Sequence, residues 1–101
     1  MIKKEIFAKY KMVSLEEYKE RLGDSVDTEL TFYQTFLKQT DHIPIKIIEG
    51  LMEELANATM LNFIEVFLKF IVSVRTEYKE VLQYRKYARE KINELEQTIT
   101  P

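Results

Sequence analysis

The C-terminal part of this chain repeats an apolar residue at alternating steps of four and three, with one arginine in the series, from Met60 to Ile99. No glycine or proline interrupts this stretch. Such a heptad repeat is the pattern of a helix that packs along another helix in a coiled coil. We therefore predict one long helix over residues 59–97. Its seam consists of Met60, Ile64, Phe67, Ile71, Val74, Tyr78, Val81, Arg85, Ala88, Ile92, Leu95 and Ile99.

A helix of this length needs more cover than a small domain provides. Forty residues of α-helix are about 60 Å long, whereas a compact domain of this size has a radius of gyration near 13 Å. Between Met60 and Val74, apolar residues also flank the seam on both sides, which predicts burial nearly all round. We therefore expect a homo-oligomer, a dimer or higher, with the seam from Met60 to Leu95 as its interface.

The sequence leaves two alternatives to a homo-oligomer: a monomeric helical bundle and a bundle that binds a small molecule. The long helix could break at Thr76, which could cap a new helix, and the two pieces could then fold back into a bundle. A bundle with an enclosed cavity among Phe63, Phe67 and Phe70 could bind a small molecule, although heptad packing normally fills such space.

Residues 14–56 contain several signals for the start or end of a helix, and we expect short helices there. Ser14 followed by Glu17 fits a capping box, and Gly23 fits the end of the helix that begins there. A second helix is predicted from about Thr28 to Gln39 with Asp27 as its cap. A third should open at Asp41 or Ile43, near Pro44, with Gly50 either inside it or at an early end.

Composition agrees with a single all-α domain over residues 1–101, in which short helices pack on the long one as a helical bundle or coiled-coil-like oligomer. The chain is 46% hydrophobic and contains only two glycines and two prolines, which is typical of a folded, helix-rich protein. Its longest apolar stretch, from Met60 to Val74, is broken by Asn62, Glu65 and Lys69. We therefore expect no membrane-spanning segment. The N-terminus also lacks the apolar core of a signal peptide.

Candidate catalytic and ligand-binding residues are sparse. The chain has no cysteine and one histidine, His42, which we expect to lie at a helix start without a nucleophile to serve. Glu49 and Glu53 have the one-turn spacing of a carboxylate metal site, but no Glu-x-x-His motif accompanies them, so we expect a solvated face. Two isolated glycines cannot form a phosphate-binding loop. We expect no enzymatic activity, no metal and no cofactor.

The strongest functional pattern is basic. From Arg75 to Lys91 six basic residues face three glutamates, and three tyrosines are interleaved with them. Basic residues neutralise phosphates and aromatic rings stack on bases, so Lys79, Lys86 and Arg89 are candidate nucleic-acid contacts. On one helix these residues spread over several faces and are diluted by glutamates. A DNA- or RNA-binding regulator is therefore the alternative function, not the first.

Two segments carry a resemblance. Residues 36–50, FLKQTDHIPIKIIEG, and residues 77–96, EYKEVLQYRKYAREKINELE, are similar to short, mostly uncharacterised proteins encoded by phages and prophages of Gram-positive bacteria. The resemblance implies a small phage-related structural or accessory protein, with a phage structural component as a partner, and it brings no catalytic residues. We accordingly predict a non-enzymatic oligomeric helical protein with a structural or assembly role, in the bacterial host cytoplasm or associated with the virion.

Overall fold

A computed structural model describes residues 4–99 of the chain, which form five α-helices and no strand. The helices are α1 (Lys4–Lys9), α2 (Leu15–Leu22), α3 (Val26–Gln39), α4 (His42–Ala56) and α5 (Phe63–Ile99). The predicted all-α fold, with short helices preceding one long C-terminal helix that packs against them, is confirmed.

The first helix was not expected from the sequence. Six residues are too few to show a helical period or to be stable alone. α1 is held by burial of Phe7, which is 4% exposed. It closes at Lys11, whose φ of 60° lies in the left-handed region. The Met12 and Lys11 amides donate to the Phe7 and Ala8 carbonyls, the bonding pattern of a Schellman motif.

α2 follows its sequence signals closely. The Ser14 hydroxyl accepts a hydrogen bond from the Glu17 amide at 3.4 Å, as the predicted cap requires. The helix ends at Leu22, and Gly23 follows with φ 97° and ψ 151°. A residue with a side chain would be strained there, so this glycine is the stop signal that the sequence indicated.

α3 begins two residues before the predicted position and has a different cap. Ser25, not Asp27, takes the extended cap conformation, and its hydroxyl accepts from the Thr28 amide at 3.1 Å. Asp27 lies inside the first turn. The prediction of Asp27 as the cap is therefore wrong, because serine and aspartate are near-equal cap residues and local sequence does not separate them.

α4 runs without a break through Gly50, so the early end that the sequence left open does not occur. A Cβ added at Gly50 would lie 3.2 Å from Cε2 of Phe70. The glycine therefore lets a ring from α5 approach the α4 backbone closely. This contact between α4 and α5, with a connection of six residues between them, makes the pair an antiparallel helix hairpin.

α5 starts four residues later than predicted and continues two residues further. Residues 59–62 form a turn in which the Asn62 side-chain oxygen accepts from both the amide and the hydroxyl of Thr59, at 2.7 and 2.9 Å. The helix is continuous through Thr76, whose hydroxyl donates to the Val72 carbonyl at 2.9 Å. Thr76 is thus bonded within the helix, and the alternative of a break there is wrong.

The described residues form two compact units. The aromatic unit contains residues 4–40 and 80–99. The hairpin unit, Asp41–Lys79, contains α4 and the first half of α5. The prediction of one domain over residues 1–101 stays a prediction.

The core of the aromatic unit is built from rings. Phe7 packs edge-on against Phe32, Phe36 and Tyr84, with ring centroids 5.4 to 5.8 Å apart. The spacing and edge-on geometry are those that favour aromatic pairs. Three helices, α1, α3 and α5, therefore meet at one apolar centre, whose buried members are Phe7, Phe32, Tyr33, Phe36, Val81, Tyr84, Ala88 and Leu95.

Candidate assembly surface

Large exposed apolar side chains are concentrated in the hairpin unit. Among the residues that the structure describes, three such side chains belong to the aromatic unit, namely Leu22, Val26 and Ile99. The other eleven belong to the hairpin unit: Ile45, Ile48, Met52, Met60, Leu61, Phe63, Ile64, Phe67, Leu68, Ile71 and Val72. Single exposed apolar residues are ordinary, whereas a concentration of this size is typical of interaction surfaces.

On α4 the exposed apolar residues form a stripe. Ile45, Ile48 and Met52 recur at steps of three and four and are 59%, 58% and 66% exposed. They lie on a different side of the helix from Gly50, which contacts Phe70. α4 thus has two apolar sides, one against α5 and one uncovered.

The N-terminal half of α5 carries a matching stripe. Ile64, Phe67, Leu68 and Ile71 are 38% to 71% exposed. At 100° per residue, and with the two helices antiparallel, this stripe and the α4 stripe lie on the same side of the hairpin. We call the seven residues Ile45, Ile48, Met52, Ile64, Phe67, Leu68 and Ile71 the hairpin face.

The opposite side of the hairpin is polar. A cleft of about 360 Å³ opens there between α4 and α5, and Lys46, Glu49, Glu53, Ser73 and Glu77 are among its lining residues. The glutamate pair considered as a metal site therefore lies in this open cleft. Within residues 4–99, no group of three or more His, Asp or Glu side chains is arranged to hold a metal ion.

The three phenylalanines considered for a ligand cavity are divided between different places. Phe70 lines the polar cleft. Phe63 lines an open depression of about 340 Å³ at the turn, together with Met60 and Ile64. Phe67 belongs to the hairpin face.

The structure divides the predicted interface seam into two parts with different environments. In the aromatic unit, Val81, Ala88 and Leu95 are at most 9% exposed, and Ile92 is half-buried. These residues have little surface left for a second chain, because rings from α1 and α3 pack against this part of α5. The predicted interface is therefore wrong for these buried residues. For the earlier seam residues it stays a prediction: Met60, Ile64, Phe67 and Ile71 are exposed, and Val74 and Tyr78 are half-buried.

Arg85, the charged residue of the seam, has an intramolecular role. Its guanidinium donates to the Leu37 carbonyl at 2.8 Å and to the Thr40 hydroxyl at 2.5 Å. Leu37 and Thr40 are at the C-terminal end of α3, where helix carbonyls lack helical partners and a positive charge is favourable. Arg85 therefore caps α3 within its own chain.

In the basic stretch from Arg75 to Lys91, the candidate basic residues are exposed, whereas two of the tyrosines pack within the chain. Lys79, Lys86 and Arg89 are exposed on α5, as a nucleic-acid contact would require. Two of the interleaved tyrosines are engaged elsewhere, because Tyr84 packs on Phe36 with ring centroids 4.8 Å apart and Tyr87 packs on Tyr33 at 5.9 Å. Two of the tyrosines in this basic and aromatic pattern therefore serve intramolecular packing. The sequence alone does not distinguish tyrosines that pack inside the protein from tyrosines that stack on bases.

Two phenols in this core have perturbed acidity. Burial raises the pKa of Tyr84 to about 12, and the neighbouring Tyr87 adds to the effect. Burial also raises the pKa of Tyr33 well above its usual value, with Tyr84 the next cause. Both phenols therefore stay neutral under ordinary conditions and support packing and hydrogen bonding.

His42, the single histidine, is the first residue of α4 and is exposed. None of the helices within residues 4–99 combines the length and apolar character needed to cross a bilayer.

No family model, curated protein or solved structure matches the chain. The resemblance to phage and prophage proteins accordingly stays a prediction from the two quoted segments.

Proposed function

We propose that this protein is a non-enzymatic helical assembly protein, a structural or accessory component that associates through the hairpin unit. The observation that carries the proposal is the concentration of exposed large apolar residues between Ile45 and Val72. Each one left in water forgoes up to about 1.5 to 3 kcal/mol, so leaving them all bare would weigh heavily against the stability of a small domain. A phage or prophage origin, in the host cytoplasm or the virion, is the part of the proposal that rests on the resemblance alone.

Light scattering coupled to gel filtration, over a hundredfold range of protein concentration, tests the proposal. We expect a mass at least twice that of the 12.1 kDa chain at high concentration. A mass of one chain throughout the range would contradict it.

The variant Phe67→Glu tests the place of the association. Phe67 lies in the middle of the exposed seam, and an unpaired carboxylate there opposes burial. We expect loss of the assembly. Thr76→Glu is the matched control, since it adds the same group to α5 at nine residues' distance, on the opposite side of the helix. An unchanged mass for Phe67→Glu would show that the association uses another surface.

Nucleic-acid binding by Lys79, Lys86 and Arg89 is the alternative function. It predicts a mobility shift with nonspecific DNA that weakens as salt rises. We expect unchanged migration at low salt, since Tyr84 is buried in the core and the half-buried ring of Tyr87 already packs on Tyr33. A salt-sensitive shift that Lys86→Gln and Arg89→Gln abolish would favour the alternative.

A further inference from the structure

We infer that the hairpin face binds the hairpin face of a second copy of this chain, so that two hairpins pack as a four-helix arrangement related by a two-fold axis. This inference rests on the proposed function and names its partner. It also adds α4 to an interface that the heptad seam places on α5 alone.

The area of the face fits this partner. At about 150 to 200 Å² for each fully exposed side chain, the fractional exposures of the seven residues correspond to roughly 600 to 770 Å². A standard protein–protein interface buries about 800 Å² on each partner. The largest apolar patch on a typical monomer is about 300 to 600 Å². The face thus approaches one side of a standard interface in area and reaches or exceeds the largest apolar patch of a typical monomer.

The charge of the face fits a copy of itself. All seven residues are uncharged, while Lys46, Glu49, Glu53 and Glu77 lie on the cleft side. In an interface with two-fold symmetry, the same patch of the two copies is in contact. A charged residue near the symmetry axis would therefore face an equal charge on the other copy and be repelled. An uncharged face avoids that penalty and is compatible with its own copy.

The cleft side argues against a lipid surface as the occupant. Helices that lie on membranes carry Lys and Arg on their polar side, which anionic lipids attract. Here the polar side of the hairpin carries three glutamates and one lysine among the residues that line its cleft. Packing of two hairpins on each other covers the apolar side and leaves these charges in water.

Ile48→Glu is the deciding variant, because Ile48 is on α4 and outside the heptad seam. We expect it to raise the dissociation constant of the dimer by roughly 100-fold or more, since the interface would bury an unpaired carboxylate. Lys46→Gln is the matched control: it changes the net charge by the same amount, on the cleft side of the same helix, and should keep the wild-type mass. Circular dichroism of both variants checks that the helices persist.

A positive test uses the absence of cysteine from the chain. In separate single variants, Ile48→Cys and Met52→Cys should form a covalent dimer with a short bis-maleimide, and Lys46→Cys should not. This readout does not depend on destabilising the fold. Equal crosslinking at all three positions would overturn the inference, because it would indicate collisions and not a defined face.

The outcomes separate the two proposals. If the wild-type chain is monomeric, both the proposed function and this inference fail. If it associates and Phe67→Glu dissociates it while Ile48→Glu does not, the proposed function stands and the shared face is overturned in favour of α5 alone. Binding to vesicles of anionic and zwitterionic lipid without self-association would overturn the inference in favour of a membrane surface.

Discussion

The aromatic unit and the hairpin unit are both helical and rich in apolar residues, yet they treat those residues in opposite ways. The aromatic unit buries eight of them, whereas the hairpin unit buries only Ile43 and exposes eleven large ones. Four helices contribute to the first unit and only two to the second. Two helices can cover one side of each other and no more. The number of packed elements, not the content of apolar residues, therefore decides whether a region completes its own core.

The largest expected effect tests whether the aromatic unit holds the stability of the monomer. Phe36 has no exposed surface and packs on Phe7 and Tyr84. Phe36→Ala should lower the free energy of unfolding by about 3 to 5 kcal/mol, through lost burial and a cavity. Urea unfolding, followed by circular dichroism at concentrations where the chain is monomeric, measures it.

Met52→Ala is the control for that experiment, because this side chain is 66% exposed in the hairpin unit. It should change the unfolding free energy of the monomer by less than about 0.5 kcal/mol. Equal losses from the two variants would remove the contrast between the units.

The second prediction concerns Arg85, a charged residue inside an otherwise apolar seam. Arg85→Met keeps the aliphatic length but removes the donors to Leu37 and Thr40. Hydrogen bonds to a charged group contribute about 1.5 to 3 kcal/mol, so a loss of this size in unfolding free energy is expected, with no change in oligomeric mass. Lys86→Met, at the exposed neighbouring position, should be nearly neutral. Dissociation of the assembly by Arg85→Met would place Arg85 at the interface after all.

The third prediction is a loss of stability at alkaline pH that originates in the aromatic unit. Tyr84 ionises with a pKa of about 12 when folded and 10.0 when unfolded, so above pH 10 the unfolded chain releases a proton that the folded chain keeps. Stability must then fall as pH rises, by about 1.4 kcal/mol at pH 11 from Tyr84 alone. Tyr33 acts in the same direction.

Unfolding free energies between pH 8 and pH 11 measure this loss. Tyr84→Phe should make the decline shallower. A stability that stays constant up to pH 11 would show that the tyrosines of the core are accessible to water.

The fourth prediction separates the observed cap of α3 from the one expected from sequence. Ser25→Ala should reduce stability by about 1 kcal/mol, because the Thr28 amide loses its acceptor. Asp27→Ala should lose only about 0.3 to 0.5 kcal/mol, the contribution of a carboxylate in the first helical turn. Thermal unfolding of the two variants compares them, and the reverse order would restore Asp27 as the cap.

The smallest expected effect concerns the contact between Gly50 of α4 and Phe70 of α5 in the hairpin unit. Gly50→Ala should gain up to about 1 kcal/mol from helix propensity, but a Cβ 3.2 Å from the Phe70 ring offsets part of it. The gain should therefore be larger in a Phe70→Ala background, by about 0.5 kcal/mol or more. A double-mutant cycle measures the difference. Equal gains in both backgrounds would mean that α4 and α5 pack more loosely at this point.

Local signals in the sequence were sufficient for much of the fold. The Ser14 cap and the Gly23 stop each act within one or two helical turns, and the apolar period through Thr76 repeats from one turn to the next, so a single sequence contains all three signals. α1 was not predicted because its stability depends on the burial of one ring, Phe7, and the residues that bury this ring are far along the chain.

The candidate surface was predicted in part. Met60, Ile64, Phe67 and Ile71 are exposed where the seam placed an interface, whereas Val81, Ala88 and Leu95 on the same seam are covered. The α4 stripe was missed, since Ile45, Ile48 and Met52 have the same spacing as residues that pack inside a bundle. The sequence contains no signal that distinguishes a side covered by its own chain from a side left for another.

The sequence by itself determined that this protein is helical, where α2 begins and ends, where α3 ends and α4 begins, and that α5 carries one continuous apolar seam. Tertiary structure alone decided that half of the seam is internal, that Arg85 caps α3, and that two helices share one uncovered face. The reason is that a helix is built from hydrogen bonds four residues apart, while the burial of its side chains depends on which distant elements reach it.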